Sequence, residues 1–496
     1  MPNQVVQLDF PLGGINRALA YTADPPRTTP DAVNVRPYDP EETRLRGGSR
    51  PCVASFIGSL SANPVTMMAT VGWISGGAQK EALAWASNST LGYSLNGSTA
   101  ASAGSLGSAT NFAAEFLQKL YINAGGTVKI WDPSSPSSTT SLTASAGSVP
   151  TGTKLIASYR DRLVLAGPDH TWYMSRQQDP TDWDYGADAD DGGRAIAATV
   201  SDAGSMGSPI TALIPFNNEV LLVGGPNSLW RISGDPAYGG RQDCISRNLG
   251  IIGPKAFVQG EFGDIYFLAR TGLYCLRELN QPEPLSPDTL PANLRNVDAK
   301  NNEVSMAFDR LGRGINLWIT PTSGAGDHWF YHIPTKSWWR EAYQDGHQPV
   351  AAADFAVDAG AARQTILGSR DGQLRKFSAS ATQDDGSVNV ASYIHLGPFL
   401  PGNDLYTEGI LMELSGAMDA ESAAVTWAVY SGFTPEAAFA SSTVRATGTF
   451  PSSRGKSNYV QVRGAAVSVK LSATSPWAFE SLTATVRKCG KVRVLG

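Results

Sequence analysis

The chain has few charged residues and only four cysteines, and each of these two features argues against some classes of protein. Charged residues make up 17% of the 496 residues, and the formal net charge is -5. This balance argues against nucleic-acid binding driven by overall positive charge, but it allows DNA to pass through a pore without being held. The cysteines (Cys52, Cys244, Cys275 and Cys489) lie far apart and form no CxxC pair. Their density favours reduced thiols over a disulfide framework, with a Cys244–Cys275 pair left open.

Long apolar runs are also missing. No window approaches the ~20 apolar residues that span a bilayer. The N-terminal segment lacks the basic stretch followed by an apolar core that marks a secretory signal. We therefore expect a protein made in a cytoplasm, with no stable membrane insertion.

Catalytic and metal-binding signatures are incomplete wherever they begin. Gly455-Lys456-Ser457 resembles the end of a phosphate-binding loop, but Phe450 stands where that loop needs glycine. His328 and His332 have the spacing of a zinc helix, yet the aromatic residues between them favour a strand. The acidic loop at residues 188–193 lacks the acids that a calcium loop needs at its fifth and twelfth positions. We expect no enzyme activity, no cofactor and no metal site.

Glycine and proline are abundant, with 51 and 31 residues, and they separate short apolar runs. Three stretches repeat one pattern: LIASYRDRLVLAGPDHTW (155–172), LIPFNNEVLLVGGPNSLWRIS (213–233) and VQGEFGDIYFLARTGLYCLR (258–277). Each has an aromatic residue, a polar turn, a short apolar strand, a breaker and then Trp or Tyr. Such units predict antiparallel strands joined by tight turns, arranged as an internal repeat.

The repeats extend through most of the chain and predict a β-propeller. The aromatic residue that closes each unit falls at Trp85, Trp131, Trp172, Trp230 and Tyr274. Intervals of roughly 40 to 60 residues are typical of blades made of four short strands. With the units at 306–342 and 351–377 we predict about seven blades within residues 61–389. The Ser-, Ala- and Gly-rich stretches at 97–110 and 134–152 are predicted to be loops.

The two ends of the chain differ from this middle part. From residue 390 the runs VTWAVYSG, YVQVRG, AVSVKLSA and LTATVRK alternate strictly, which predicts a β-sandwich over residues 390–496. Residues 1–60 have little periodicity and many prolines, and they predict an extended N-terminal arm. Its alternating arginines and prolines favour docking, either within the subunit or onto a partner. The predicted fold class is therefore all-β: arm, propeller and sandwich.

The arm also carries a resemblance to a known family. The runs DPPxTTPDAxNVRPxDP (24–40) and RxRGGxRP (44–51) resemble the N-termini of tail nozzle (tubular tail) proteins of short-tailed bacteriophages. The phrases at 159–186 and 476–493 are similar to the same group. Cys52 departs from the pattern, since glycine is expected there. The resemblance implies a virion tail protein, assembled in the host bacterial cytoplasm.

Further expectations follow from that resemblance. It implies a hexameric ring below the portal and the head-to-tail adaptor, with other tail proteins such as fibres as neighbours and a lumen for DNA ejection. We expect five arginines of the arm to contact a subunit or partner: Arg27, Arg36, Arg44, Arg46 and Arg50. Two other classes stay open, a carbohydrate-binding or receptor-binding tail propeller and a scaffold propeller outside any virion.

Overall fold

The computed structural model describes residues 3–21, 27–167, 169–186, 190–279, 281–356, 361–452 and 454–491. These residues are almost entirely β-strands and turns. No helix among them has the length and apolar character that a membrane crossing requires.

Residues 1–60 contribute short strands that pair with distant parts of the chain. They are β1 (Gln4–Gln7), β2 (Ala32–Val33), β3 (Val35–Arg36), β4 (Gly48–Ser49) and β5 (Cys52–Ile57). Strands β3 and β4 pair with each other, whereas β1, β2 and β5 join sheets formed by later strands. The arm is thus held by backbone hydrogen bonds as well as by side chains.

Residues 65–378 form six antiparallel units of four strands and three strands of a seventh unit, and we call the seven units sheets I to VII. Sheet I contains β6 (Val65–Ser75), β7 (Ala78–Ser87), β8 (Thr90–Ser94) and β9 (Ala101–Ser105). Sheet II contains β10 (Asn111–Phe116), β11 (Lys119–Ala124), β12 (Thr127–Trp131) and β13 (Thr139–Ser141). A parallel pair, β14 (Ala146–Gly147) and β18 (Asp182–Trp183), flanks sheet III, which contains β15 (Leu155–Tyr159), β16 (Arg162–Ala166), β17 (Trp172–Met174) and β19 (Ile196–Ala197).

The next units continue the same order. Sheet IV contains β20 (Ala212–Asn217), β21 (Val220–Gly224), β22 (Leu229–Ser233) and β23 (Arg241–Ser246). Sheet V contains β24 (Phe257–Gln259), β25 (Ile265–Ala269), β26 (Gly272–Leu276) and β27 (Glu283–Pro284). Sheet VI contains β28 (Asn302–Asp309), β29 (Gly314–Pro321), β30 (Asp327–His332) and β31 (Ser337–Glu341). Together these units give a β-propeller-like arrangement.

Sheet VII is completed by the arm. Its strands are β32 (Pro349–Phe355), β33 (Gln364–Ser369) and β34 (Leu374–Ser378), and its fourth strand is β5. Residues Cys52 and Ile57 pair antiparallel with Ser378 and Leu374. Strand β5 therefore belongs to sheet VII by its hydrogen bonds, although it lies within the residues that we predicted as the arm. The domain boundaries at 60 and 390 stay predictions.

The aromatic residues of the repeat occupy equivalent positions in four sheets. Trp131, Trp172, Trp230 and Tyr274 lie on the third strands of sheets II to V. Trp85 lies on the second strand of sheet I instead, so its assignment to the end of the unit was wrong. Three of these side chains (Trp85, Trp131 and Trp172) are fully buried, which fits a role in packing between sheets.

The two predicted low-complexity loops contain strands. Strand β9 lies within 97–110, and β13 and β14 lie within 134–152. Small polar residues gave no strand signal there, because these outer strands are held by backbone hydrogen bonds and bury few side chains. The prediction of loops was wrong for these residues.

The C-terminal residues contribute strands to two sheets. The elements are β35 (Ser392–Phe399), β36 (Thr407–Met418), β37 (Val425–Gly432), α1 (Pro435–Ala440), β38 (Ala446–Phe450), β39 (Lys456–Gly464), β40 (Ala466–Ala473) and β41 (Phe479–Lys491). One sheet has the order β1-β41-β36-β39, and the strands β35-β40-β37-β38 form the other. Leu411 and Leu482 of the first sheet and Val429 and Val469 of the second belong to one buried cluster.

Strand β2 joins the two parts of the molecule into a nine-stranded sheet. Val33 pairs in parallel with Arg340 of β31 and antiparallel with Tyr393 of β35. Sheet VI and the second C-terminal sheet are therefore continuous through two residues of the arm. A single buried hydrophobic cluster also extends from sheets IV to VI into the C-terminal strands.

Candidate functional site: the arginine seam

Arm residues 34–50 lie between sheet VI and the C-terminal sheets, and we call this segment with its acidic partners the arginine seam. Arg36 is fully buried at its centre. Its guanidinium group donates to Glu341 Oε1 at 2.7 Å and to Asp309 Oδ2 at 2.8 Å. It also lies 4.0 Å from the ring centroid of Phe330. Arg36 of the arm thus pairs with two carboxylates of sheet VI.

Electrostatics favour the charged form of this group. Burial alone would lower the pKa of Arg36, but the charges of Glu341 and Asp309 and the hydrogen bond to Glu341 outweigh it and raise the pKa. Burial would raise the pKa of Glu341, and the neighbouring Arg36 and Arg50 hold it below its usual value instead. The buried pair is charged, and removing either partner leaves the other uncompensated.

Arg50 makes the second buried contact of the seam. Its guanidinium group donates to Asp384 at 2.6 Å and to Asn34 Oδ1 at 3.1 Å, and it lies 4.6 Å from the ring centroid of Tyr343. Tyr343 donates to Glu341 Oε2 at 2.6 Å. The contacts of Arg50 therefore connect with those of Arg36 through Tyr343 and Glu341, between sheets VI and VII.

Arg46 reaches the C-terminal sheets. It donates to Asp39 at 3.1 Å and to Asp419 at 2.8 Å, and it also pairs with Glu480. Arg44 is more exposed, with Glu42 at 2.7 Å and Glu480 at 3.5 Å. These pairs connect the arm to the segment between β36 and β37, which contains Asp419, and to the start of β41, which contains Glu480.

Arg27 lies apart from the seam, 3.9 Å from Asp9, and is largely exposed. A partner-contact role for the five arginines stays a prediction. The structure adds that Arg36 and Arg50 are enclosed within their own chain, so they cannot meet a neighbouring subunit unless the seam opens. Arg27 and Arg44 keep side chains that a partner could reach.

Two glycines of the arm allow the seam to close. Gly47 has a φ of +79°, and a Cβ at this position would lie 2.3 Å from the ring of Phe10. That ring stacks on Trp339 of sheet VI at 5.8 Å and lies 5.7 Å from Phe479 of β41. Gly48 approaches the carbonyl oxygen of Trp477 so closely that a Cβ would lie 2.5 Å from it. The glycine pair of the arm motif therefore has a packing role.

Sequence reasoning missed the acidic partners of the arginines. Asp309, Glu341 and Asp384 lie roughly 270 to 330 residues from the arm along the chain. No local pattern marks them as partners of the arm, because the contacts arise only when distant strands and turns come together. Glu341 could have been noticed, because it is a carboxylate that directly follows the strand residues WWR at 338–340, where buried positions are expected.

Three of the histidines are buried in the nine-stranded sheet. His328 and His332 lie on β30, and the strand predicted from the aromatic residues between them is confirmed. His395 lies on β35. Burial lowers the pKa of His328 to about 3 and those of His332 and His395 to about 4. They are neutral packing residues at neutral pH.

A central cavity is the second candidate site. The first strands of sheets I to VII surround a volume of about 400 Å³. Lys255, just before β24, donates to the carbonyl oxygens of Thr66 at 3.1 Å and Val350 at 3.0 Å, and lies 2.8 Å from Glu303. This amine therefore connects sheet V with sheets I, VI and VII at the cavity wall. Its role was not visible in the sequence.

Within the described residues, no group of three or more His, Cys, Asp or Glu side chains could hold a metal ion. Residues 188 and 189 of the acidic loop lie outside the described part. The four cysteines are free, with Cys52 and Cys275 buried and Cys244 and Cys489 half-buried. The pair that the sequence left open, Cys244 with Cys275, is not bonded.

No protein-family model and no curated protein matches this chain. Among solved structures, the extracellular domain of a one-component system from B. thetaiotaomicron has a TM-score of 0.43 and 13% identity, covering 67% of this chain and 40% of its own. YCF48 from Cyanidioschyzon merolae has a TM-score of 0.40 and 10% identity, covering 66% and 98%. BBS1N, crystallised in complex with ARL6DN, has a TM-score of 0.42 and 11% identity, covering 66% and 99%.

These neighbours have propeller-like folds. The chain spans less than half the length of the B. thetaiotaomicron protein. Likenesses at this level concern architecture and say nothing of activity or partners.

Proposed function

We propose that this chain is a structural virion protein of a short-tailed bacteriophage, forming the tail nozzle ring through which DNA leaves below the portal and adaptor. The observation that carries the proposal is the arm. The run that resembles nozzle N-termini includes β2, Arg36, Gly47 and Arg50, which hold the propeller-like part and the C-terminal sheets together. Residues 24–26 of that run lie outside the described residues. A subunit whose parts are held together in this way suits a tube that carries mechanical load.

We further infer that sheets I to VII close into a seven-bladed propeller and that the two C-terminal sheets form a β-sandwich. Contact between β32 of the last sheet and β6 of the first supports closure. So does β5, because a strand from the beginning of the chain completes the last sheet. The buried residues shared by the two C-terminal sheets support the sandwich.

The DNA path in this proposal runs between copies of the chain and not through the propeller. The central cavity of about 400 Å³ is far too small for a duplex, and Lys255 ties four sheets together at its wall. A ring of six copies would place the lumen on the symmetry axis, with head-to-tail interfaces between neighbours. The net charge of -5 suits a wall along which phosphates slide. Adaptor and fibre proteins would be the partners.

Light scattering on the purified chain tests this proposal. We expect a monomer alone and a closed assembly near six copies when the portal–adaptor complex of the same phage is added. A chain that stays monomeric with that complex would overturn the nozzle function.

The exposed arginines provide a finer test. Replacing Arg27 and Arg44 with Ala should lower the yield of rings without changing the stability of the monomer, because both side chains are largely exposed. Rings that form at normal yield would remove these two residues from the interface.

A further inference from the structure

A groove lies at one corner of the C-terminal sheets, where β39 turns into β40. It has a volume of about 500 Å³ and opens to solvent. Its polar and aromatic lining comes from four different strands or turns: Glu408, Phe433, Arg445, Gln461 and Arg463.

Backbone forms the floor of this groove. Gly432 approaches α1 so closely that a Cβ there would lie 2.5 Å from the nitrogen of Ala438. Gly464 lies against Ser431, where a Cβ would come within 3.0 Å of that side chain. At both positions a side chain would collide with the protein itself, so the two glycines let the backbone pack closely and form the floor.

The walls present one aromatic ring and one amide. The Phe433 residue is 74% exposed, although phenylalanine is normally buried. Gln461 has a φ of +55°, and the pairing of β36 with β39 shifts register beside it. A bulge with a strained, non-glycine residue re-aims a side chain, and such bulges cluster next to binding sites.

The charges in the groove do not balance. Arg463 Nε lies 2.5 Å from Glu408 Oε2, so this pair is internally neutral. Arg445 is exposed, and no ion pair is found for it among the described residues. One guanidinium group is therefore left to a ligand, and a carboxylate is the planar anion that fits it.

We propose that this groove binds an acidic saccharide. The face of a sugar ring packs on Phe433, its carboxylate pairs with Arg445, and its hydroxyls bond to Gln461 and to the carboxylate of Glu408. An exposed aromatic face beside polar side chains on a backbone floor suits a flat, hydroxyl-rich ring. The site is independent of the nozzle function, because it needs no ring of subunits.

Calorimetric titration of the full chain tests the assignment. The probes are trigalacturonate, a hyaluronan tetrasaccharide and sialyllactose, with maltotriose and lactose as neutral counterparts. We expect saturable binding of at least one acidic probe and weaker binding of its neutral counterpart. Phe433→Ala should weaken binding about tenfold, whereas Phe433→Tyr should retain it. Arg445→Gln should remove the preference for the acidic probe.

Tyr459→Ala is the matched control, because Tyr459 is 85% exposed on β39, the strand of Gln461, and does not line the groove. All variants change exposed side chains, so thermal unfolding should match the parent chain. The proposal is overturned by no saturable binding of any acidic probe, by equal binding of neutral sugars, or by unchanged affinity in Phe433→Ala and Arg445→Gln. Ring formation on the portal–adaptor complex, measured on the same variants, separates this result from the fate of the nozzle proposal.

Discussion

The strands of the propeller-like part and those of the C-terminal part are buried in different ways. Strands β16, β21 and β25 are buried at every residue, because neighbouring sheets cover both of their faces. Strand β36 alternates buried and half-buried residues along most of its length, which is typical of a strand with one buried face. The first pattern needs cover on both faces of a strand, and the second needs cover on one. The arginine seam joins the two parts, so substitutions in it should show whether each part is stable without the other.

Acid should produce the largest change, and it acts on both parts. Three histidines of the nine-stranded sheet (His328, His332 and His395) have folded pKa values of about 3, 4 and 4, below the ordinary 6.5. Their contribution to stability is therefore complete above pH 6.5 and is lost as the pH falls from 6.5 to about 4 for His332 and His395 and to about 3 for His328. Between pH 7.5 and 4.5 the loss is about 3 kcal/mol for each histidine.

Urea titrations at pH 7.5 and 4.5 measure this loss. His395→Gln should reduce the acid sensitivity of the C-terminal sheets, and His328→Gln that of sheet VI. A free energy of unfolding that is equal at both pH values would contradict the burial argument.

Breaking the seam should have the next largest effect. Arg36→Ala leaves Glu341 and Asp309 buried without their counter-charge, at a cost of about 3–5 kcal/mol. We expect urea unfolding, followed by tryptophan fluorescence, to split into two transitions. Arg44→Ala is the control and should change stability by at most about 0.5 kcal/mol, since its pairs are exposed. A single transition at the parent midpoint in Arg36→Ala would show that the seam does not couple the parts.

The glycine of the arm motif can be tested against a glycine with the same backbone angle. Gly47 and Gly77 both have a φ of +79°, but a Cβ at Gly77 would meet nothing within 4 Å. Gly77→Ala should therefore cost about 1 kcal/mol for the left-handed backbone alone. Gly47→Ala adds overlap with the Phe10 ring and should cost about 3 kcal/mol. Equal thermal shifts for the two variants would mean that Phe10 moves aside freely.

The smallest effect should follow from the cavity of the propeller-like part. Lys255→Met removes an ion pair to Glu303 and two hydrogen bonds to backbone carbonyls, at a cost of about 1–2 kcal/mol. The effect on each part should be measured in the Arg36→Ala background, where two transitions are expected, and Lys255→Met should shift only the transition of the propeller-like part. Lys80→Met, on the exposed end of β7, should leave both midpoints unchanged. An equal shift of the C-terminal transition in the Lys255→Met, Arg36→Ala chain would show that Lys255 acts beyond the propeller-like part.

Much of the strand content could be predicted because periodicity reports burial. The predicted runs VTWAVYSG and AVSVKLSA coincide with β37 and β40 from end to end. The three repeats coincide with hairpins of sheets III to V. The outer strands β9 and β13 could not be found in this way, since they bury little and pair mainly through the backbone.

The site was less visible than the fold. The arginines stood out because they alternate with proline in a segment without periodicity. Their partners did not, since Asp309 and Glu341 come close to Arg36 only after sheet VI has formed. The groove at Phe433 was also missed, because the sequence does not distinguish an exposed phenylalanine from a buried one.

The pairing of β1 with β41 and of β2 with β31 and β35 has a consequence for how the chain folds during synthesis. Strands from the first 57 residues find their partners among residues 337–491, which leave the ribosome much later. Sheets I to VI can form from local hairpins while the arm waits unpaired. Contacts of such long sequence separation are slow to form and leave strand edges open. Completion of the last sheet is therefore a late event, and a nascent chain stalled before residue 374 would present β5 as an open edge for another copy to join.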